Sequence, residues 1–425
     1  MISPVPSEPA LQHVAPTRTD AFARRLKQRY RAERHFRLAG LSAIVFSVAV
    51  LVFLLFNMTV NGIGGFQRTV LEVPIDLSQA QLMLPAGVDD EVAVVRSLQE
   101  QGLSEIVTAA TRQALGEDAA AQLGIDAWRT IGEDVANDPA LLGTRATYQL
   151  PVTDSLSSAF AGEGSADLQP LARALATHGV LHEAFDPGFL ARSDATDSQT
   201  VGIWSALKGS LLTMAVTLAL AFPIGVLAAL YLEEYAPRNR WTDIIEVSIN
   251  NLAAVPSIIF GLLGLAVFLA IFPNMRSAPL IGGMTLALMT MPVIVISGRN
   301  AIKAVPPSIR DGALAIGASH IQVVFHHVLP LALPGILTGT IIGMARALGE
   351  TAPLLMIGMR AFVATPPHGF TDPATALPVQ IFLWSDEVDR GFVERTSAAI
   401  IVLLGVLLLM NALAIYLRNK FEKRW

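Results

Sequence analysis

Arg346 and Glu350 lie four residues apart within 333–358, a stretch whose other residues are mostly apolar. A guanidinium presents a planar fork of N–H donors that matches two oxygens of an oxyanion, and a carboxylate four positions along a helix can hold that fork. A charge at the centre of a membrane costs about 3 kcal/mol or more, so such residues face protein or water. Two interpretations stay open. Either the pair fixes packing against a partner, or Arg346 binds an oxyanion and Glu350 holds it between binding events.

The predicted helix that carries this pair also has a stripe of glycines. Gly335, Gly339 and Gly343 recur every four residues. At about 100° per residue, they share one sector of the helix with Arg346 and Glu350. Small residues allow the backbones of membrane helices to approach closely. The sequence therefore predicts one helix face that combines close helix packing with an ion pair.

The composition indicates several membrane spans. Of the 425 residues, 52% are hydrophobic and 15% are charged, which is not the profile of a soluble enzyme. The absence of cysteine excludes disulfides, zinc–thiolate sites and a cysteine nucleophile. We therefore expect an all-α polytopic membrane protein. Six apolar stretches are long enough to cross a hydrocarbon core of about 30 Å, namely 38–60, 207–232, 252–272, 280–297, 333–358 and 396–417.

The charges that flank the spans predict the orientation. The segment 1–37 is basic, and Arg418, Lys420, Lys423 and Arg424 follow the last span. Positive flanks stay in the cytoplasm, so we expect both termini there in a multi-pass membrane protein. The predicted organisation is a basic cytoplasmic segment 1–37, a first membrane helix 38–60, an acidic periplasmic domain 61–202 and a membrane core 203–420 with a cytoplasmic loop 298–332.

The acidic domain 61–202 has a formal charge of −13, from seven arginines against twenty acidic residues, and it contains no lysine. Its surface would repel an anion, so we expect an accessory or docking domain. Apolar residues at helical spacing, such as Val95, Leu98 and Val107, predict a mostly helical fold. His178 and His182 have the spacing of a metal pair, but Gly179 interrupts the helix and no third ligand is evident, so we expect no metal.

The loop 298–332 contains a structured corner. Ser308 with Asp311, and Ser319 with Gln322, have the spacing of helix-starting capping boxes. Gly317 is suited to end the first helix in a left-handed conformation, and a proline at 330 is expected to end the second. Two short helices around a glycine would form a lever between spans four and five. The alternative is a plain amphipathic loop on the membrane surface.

The stretch DGALAIGA, followed by LP, resembles the E-A-A-x-x-x-G loop of ABC-importer permeases. The motif places Asp311 at its glutamate, Gly312 and Ala313 at its small pair, Gly317 at its glycine, and Leu329 with Pro330 at its end. Together with YLEEYAPRNRW and LPGILTGTIIGMARALGETAPLL, the chain is similar to the PstA-type permease of the high-affinity phosphate importer over about 205–420. This resemblance implies a five-helix permease core, preceded here by one additional N-terminal span and the domain 61–202.

The resemblance also implies a division of labour. The expected partners are a homologous second permease (PstC-like), two ATPase subunits (PstB-like) and a periplasmic phosphate-binding protein (PstS-like), with no nucleic acid. No G-x-x-x-x-G-K-[ST] occurs in the chain, so ATP and Mg²⁺ are expected on the ATPase subunits and no cofactor on this chain. Asp311, Gly312, Ala313, Gly317, Leu329 and Pro330 would couple to the ATPases.

In this family Arg346 and Glu350 would belong to the substrate pathway, and no residue would be catalytic. Phosphate is the substrate that the long resemblance implies, but sulfate, molybdate or phosphonate would also suit a guanidinium. A secondary transporter or channel is a further alternative, although the six spans show no internal repeat. A membrane sensor is another, although the tail RNKFEKRW is short for a signalling domain.

Overall fold

The computed structural model describes residues 20–79, 82–84, 91–162, 165–359, 362–363, 365–387 and 391–421. The chain divides into two compact units, 1–58 and 59–425. Helix α1, Asp20–Gly64, forms the described part of the first unit and continues into the second. The predicted basic segment 1–37 is therefore described from residue 20 onward, and Lys423 and Arg424 of the predicted C-terminal flank lie outside the described residues.

A globular segment follows α1. Its strands and helices are β1 (Gln67–Asp76), α2 (Glu91–Glu100), α3 (Leu103–Leu115), α4 (Glu117–Ala120), α5 (Ala127–Asn137), β2 (Arg145–Pro151), α6 (Asp154–Phe160), α7 (Gln169–Thr177), β3 (Leu181–Phe185) and α8 (Gly188–Ala191). The strands form one antiparallel sheet in the order β2-β1-β3. The segment is mostly helical, as expected, but its sheet was not predicted, because the three strands lie far apart in sequence and pair only in the folded chain.

The core of this segment lies between the sheet and the helices. Leu71 and Ile75 of β1 are fully buried against Leu98 of α2 and Ile131 of α5. The predicted apolar spacing is confirmed, since Val95, Leu98, Leu103 and Val107 are all buried. These buried residues belong to two helices rather than one, because Gly102, with a φ of 91°, separates α2 from α3.

Helices, several of them long and apolar, make up most of the rest of the described chain. They are α9 (Trp204–Leu230), α10 (Arg240–Ala253), α11 (Ser257–Leu263), α12 (Leu269–Ile271), α13 (Pro279–Lys303), α14 (Pro307–Ala315), α15 (His320–Gln322), α16 (Leu329–Leu348), α17 (Ala352–Met356), α18 (Leu377–Ser385) and α19 (Gly391–Phe421). Within the described residues, five continuous helices are long and apolar enough to cross a membrane, and one bent pair would make six. The chain is thus a multi-pass membrane protein, in which α13 packs between α9 and α16.

The bent pair occupies the predicted third span. Residues Arg240–Ala253 and Ser257–Ile271 form two helical segments that meet at 104°. The break lies near the start of the predicted span 252–272, which makes a sixth span if the bent pair crosses the membrane as one span. Pro256 explains the bend, because its ring forbids a helical hydrogen bond and disfavours a helical conformation in the residue before it. A short π turn, Gly264–Phe268, interrupts the second segment.

The helices on both sides of the predicted loop 298–332 are longer than expected. Helix α13 continues to Lys303, and a single helical span runs from His320 to Leu348, so the connection narrows to 304–319 around α14. Pro330 does not end this helix as expected. The preceding turn, Val323–Val328, is a π turn in which Leu329 N–H donates to the carbonyl of Val324, five residues back. The wider turn accommodates the proline ring without breaking the span.

Candidate functional site

The predicted glycine stripe on α16 lies against α13. A Cβ atom added at Gly335 would lie 2.6 Å from Cβ of Ala301, and one at Gly343 would lie 2.9 Å from Cγ2 of Thr290. At Gly339 an added Cβ would overlap the side chain of Ser297. The expectation of a small-residue packing face is therefore confirmed. The face is used within this chain, where it holds two membrane helices at close distance.

The helix ends earlier than the sequence predicts, and it separates the two members of the charged pair. Helix α16 ends at Leu348, so Arg346 lies in its last turn, whereas Glu350 lies beyond Gly349 in the break before α17. The expectation that both residues lie on one helix was wrong. Pro353 provides the reason, because its ring would clash with the carbonyl of Gly349 in a continuous helix. The pair still forms, with 3.4 Å between Arg346 Nε and Glu350 Oε1.

The two members of the charged pair are unequally exposed. The side chain of Arg346 is 48% exposed, compared with 18% for Glu350. Ile342, one turn earlier on the same face, is 61% exposed. Within the described residues, Arg346 Nε donates to Glu350 Oε1 at 3.4 Å. Nearly half of the Arg346 side chain is therefore accessible from outside this chain, while Glu350 restrains its orientation.

The connection 304–319 forms the predicted glycine corner. Gly317 has a φ of 90°, a left-handed conformation that a side chain would strain. Ser319 and Gln322 form the predicted capping box, with each side chain bonded to the other residue's backbone N–H. The box predicted for Ser308 and Asp311 does not form. Helix α14 begins at Pro307, whose fixed φ already suits the first helical position.

The corner exposes apolar side chains that the sequence analysis did not single out. Ile316 is 83% exposed and Ile321 is 63% exposed, on either side of Gly317. Of the motif residues, Asp311 and Gly312 are exposed, whereas Ala313 is buried against the membrane helices. Leu329 and Pro330 are half-buried in the first turn of α16. Two exposed isoleucines on a turn stabilised by a glycine and a capping box form a surface suited to a protein partner.

One continuous helix connects the corner to the charged pair. The span His320–Leu348 begins directly after the capping box at Ser319 and carries Arg346 in its last turn. At about 1.5 Å per residue, these two sites are about 40 Å apart, which is the thickness of a membrane including its headgroups. The corner and the guanidinium are therefore joined by one helical span.

A second charged site, which sequence analysis missed, joins the globular segment to the last helix. Asp186 follows β3 and is 1% exposed, and three arginines converge on it. Arg192 Nη2 lies 2.5 Å, Arg395 Nη2 lies 3.4 Å and Arg68 Nε lies 4.0 Å from its carboxylate oxygens. Burial lowers the pKa of Arg68, and the charge of Asp186 opposes this shift. We call this group the Asp186 cluster.

Arg395 gives the Asp186 cluster its long-range connections. It lies in the first turns of α19, is 3% exposed, and donates to the carbonyls of Ser198 at 2.8 Å and Gly65 at 2.7 Å. Its guanidinium carbon also lies 5.2 Å from the centre of the Phe189 ring. Residues from the end of α1, the globular segment and α19 are therefore held by one side chain.

The histidines that raised a metal hypothesis lie on different elements. His178 follows the end of α7 and His182 lies on β3, with Gly179 between them at a φ of 72°. His182 Nε2 is 3.8 Å from Glu72 Oε1 on the neighbouring strand. Within the part of the chain that the structure describes, no group of three His, Cys, Asp or Glu side chains could hold a metal ion.

Comparison with known proteins shows which family contains these membrane helices. Residues 221–425 match the family described as the binding-protein-dependent transport system inner membrane component. A phosphate transport system permease protein PstA from Haemophilus influenzae is 31% identical over 232 residues, which cover 54% of this chain and 80% of that protein. The chain belongs to this permease family.

Further relatives agree with this assignment. The permease is 29% identical over 224 residues to the phosphate transport system permease protein PstA 1 of Mycobacterium tuberculosis, covering 52% of this chain and 72% of that protein. It is 30% identical over 226 residues to the probable ABC transporter permease protein YqgI of Bacillus subtilis, covering 52% of this chain and 74% of that protein. The similarity thus includes the Gly317 corner and the helix that carries Arg346, as the predicted resemblance required.

The N-terminal part of the permease matches a different family. Residues 23–170 match a domain of unknown function, DUF3333. Together with the match over 221–425, this shows a family core with an N-terminal extension, as the sequence predicts. Among solved structures, the inward-facing MetNI methionine ABC transporter is similar with a TM-score of 0.43 and 19% sequence identity, over 52% of this chain and 98% of that chain.

Proposed function

We propose that this chain is a permease subunit of an ATP-driven importer for inorganic phosphate. The observation that carries the proposal is the single helix from the Gly317 corner to Arg346. It joins a surface suited to a partner protein to a guanidinium that can be reached from outside the subunit. The relatives named phosphate transport permeases support phosphate as the transported anion.

The proposed orientation places both termini in the cytoplasm of a bacterium and the helices in its inner membrane. The basic residues that precede and follow the spans support this orientation, because positive flanks remain on the cytoplasmic side. The Gly317 corner then lies in the cytoplasm. The globular segment, with its acidic surface, lies in the periplasm, where it acts as an accessory domain rather than a collector of phosphate.

The proposed complex divides the work among several chains. A homologous second permease, PstC-like, packs beside this one and completes the pathway. Two PstB-like ATPase subunits bind ATP and Mg²⁺, and a PstS-like binding protein delivers phosphate. The sequence of this chain contains no phosphate-binding P-loop, which supports a separate source of ATP hydrolysis.

Arg346 is proposed to contact the transported phosphate. A partly exposed guanidinium can donate two parallel hydrogen bonds to a phosphate oxygen pair. Glu350 accepts from Nε and keeps the fork oriented when no anion is bound. Because the exposed face of Arg346 and Ile342 needs cover within a membrane, we place the second permease, or the pathway between the two subunits, on this side.

The corner is proposed to receive movement from the ATPases. Asp311, Gly312, Ala313 and Gly317 form the proposed docking motif, and Leu329 with Pro330 begins the helix that carries movement toward Arg346. Ile316 and Ile321 add the apolar contacts. Since Gly317 keeps its two flanking helices at a fixed angle, nucleotide-driven movement of the ATPases becomes a rigid-body movement of the span.

Other substrates remain the main alternative. Sulfate, molybdate and phosphonate carry the same kind of oxygen pair, so Arg346 alone does not select phosphate. A channel or secondary transporter would move the anion without ATP, and a sensor would not move it at all. These possibilities differ in what drives uptake and what competes with it.

The test is reconstitution of the complex in liposomes with ATP inside. We expect phosphate, delivered by the binding protein, to raise ATP hydrolysis and to accumulate against its gradient, with excess sulfate competing weakly. Orthovanadate should stop both activities. Uptake that persists under orthovanadate would indicate a channel or secondary transporter, competition by sulfate at equal concentration would indicate a different substrate, and binding without uptake would indicate a sensor.

A further inference from the structure

The end of α9 contains two adjacent glutamates in a turn of unusual geometry. Residues Tyr231–Tyr235 continue α9 as a π turn, in which Ala236 N–H donates to the carbonyl of Tyr231, five residues back. π turns inside α-helices occur mostly at functional positions. Glu233 and Glu234 lie in this turn, and both are largely shielded from solvent, with 20% and 11% of their side chains exposed. Two adjacent carboxylates that are both shielded from solvent require cationic partners.

Glu234 is paired with Arg310 of α14, the helix that leads into the Gly317 corner. Arg310 Nη2 lies 2.7 Å and Nε lies 3.1 Å from Glu234 Oε1. The same guanidinium donates to the carbonyl of Ile302, in the last turn of α13, at 2.9 Å and to the carbonyl of Val305, in the link that follows, at 2.6 Å. One side chain therefore joins the corner helix to the ends of α9 and α13.

Glu233 takes part in a neighbouring link. Arg299 of α13 lies between Glu233, at 3.4 Å, and Glu246 of α10, at 2.9 Å. The π turn thus contacts α13 through Glu233 and α14 through Glu234, and Arg299 extends the network to α10. Apolar residues are sufficient to pack helices, and a buried ion pair adds little stability compared with an apolar contact of the same shape. The pairs instead specify one relative position of four elements.

We propose that Glu234 and Arg310 are positioning residues that transmit movement of the Gly317 corner to α9 and α13. This inference rests on the proposed function, since it assigns the route by which the corner acts. A guanidinium bound to a carboxylate and two carbonyls cannot be displaced from one partner without straining the others. When α14 moves, the end of α9 therefore moves with it, and α14 does not slide past α9.

The test uses the complete complex in liposomes and measures phosphate taken up per ATP hydrolysed. Glu234→Gln and Arg310→Gln should lower this ratio by about tenfold or more, the range of ordinary coupling between sites, while basal ATP hydrolysis and the yield of assembled complex stay near the wild-type values. Arg310→Lys, which keeps the charge but loses the fork, should give an intermediate ratio. Asp243→Asn removes an exposed carboxylate from α10 and is the matched control, with an unchanged ratio.

A cross-linking arm separates the link from any folding defect. The chain has no cysteine, so Glu234→Cys combined with Arg310→Cys, assembled with cysteine-free partners, can be tested before and after reaction with a short bifunctional thiol reagent. We expect the unreacted sample to be uncoupled and the cross-linked sample to recover the wild-type ratio. The two measurements use the same folded protein, so recovery can arise only from the restored connection.

Four results would count against the proposed link or the proposed function, in different ways. A wild-type ratio in both Gln variants would overturn the proposed link, and so would an uncoupled cross-linked sample. An equal loss in Asp243→Asn would show a general effect of removed charge. A wild-type complex that hydrolyses ATP without responding to phosphate would instead contradict the proposed function, before any variant is compared.

Discussion

At the scale of single residues, the position of Arg346 decides what its charge can do. It lies in the last turn of α16, beside the break that contains Glu350. Glu350 accepts from its Nε, and nearly half of the side chain is exposed. A helix C-terminus also carries a partial negative charge that favours a cation in the last turn. The guanidinium is therefore held by Glu350 at a helix end and partly open to a ligand or partner, which is the arrangement that the proposed role of Arg346 needs.

The substitution Arg346→Gln tests this role directly. We expect phosphate uptake by the reconstituted complex to fall by about tenfold to a hundredfold, because a hydrogen bond to a charged group contributes about 1.5–3 kcal/mol. Arg346→Lys should recover only part of the loss, since an ammonium lacks the planar fork. Arg238→Gln removes an exposed arginine and should keep wild-type uptake. Wild-type uptake by Arg346→Gln, at equal complex yield, would remove Arg346 from the pathway.

At the scale of secondary-structure elements, the important features are a corner and a close helix contact. The corner depends on one left-handed residue, Gly317, and on the Ser319–Gln322 capping box that starts the following span. The contact depends on three glycines of α16 against α13. Both features are local in their chemistry, and both determine how a span moves or where it lies.

Gly317→Val should disturb the corner without unfolding the membrane helices. A β-branched residue at a φ of 90° costs about 1–3 kcal/mol, which is relieved by changing the angle between α14 and the next span. We expect ATP hydrolysis to continue while uptake per ATP decreases. Gly143→Val is the control, because an added Cβ there meets open space. Fully coupled transport by the Gly317 variant would contradict the role of the corner.

Gly339→Val should weaken the contact between α16 and α13. The added side chain would overlap Ser297, and overpacking of this kind costs about 1–3 kcal/mol. The expected result is a lower thermal transition of the purified chain in detergent. Gly405→Ala, at a position of α19 with open space around it, should keep or slightly raise the transition. Equal transitions for the two variants would show that the close contact does not limit stability.

At the scale of the whole molecule, the Asp186 cluster connects parts that a linear description would separate. Arg68 belongs to β1, Arg192 follows α8, and Arg395 belongs to α19. A row of aromatic rings lies beside the cluster, in which Phe66 packs on Phe189, Phe189 on Trp384 and Trp384 on Phe392. The globular segment is therefore joined to the last membrane helix by buried charge and by a continuous apolar contact, and the two should move together.

Asp186→Asn should loosen this junction. The change leaves three arginines without their common carboxylate, and breaking a buried ion pair costs about 3–5 kcal/mol. We expect a lower thermal transition and faster proteolytic release of the globular segment. Glu117→Gln breaks the exposed pair with Arg112 and should change stability by about 0–1 kcal/mol. If the two variants release the segment at the same rate, the cluster does not hold it.

Several features of this protein were determined by the sequence alone. The long apolar helices, the stripe of Gly335, Gly339 and Gly343 on one helix, the left-handed Gly317 and the capping box at Ser319 each depend on residues within one or two turns of each other. Hydropathy and backbone preference act over that distance, so the sequence predicts them correctly. The roles of Arg346, Glu350 and the motif residues remain predictions, because they concern partners outside this chain.

Only the tertiary structure decided the rest. Glu234 meets Arg310 across 76 positions and Arg395 donates to Gly65 across 330, and neither distance leaves a periodic signal in the sequence. The sheet pairs strands from both ends of the globular segment. These outcomes are set by which distant groups must share a buried space and find partners there, and that is decided when the chain folds.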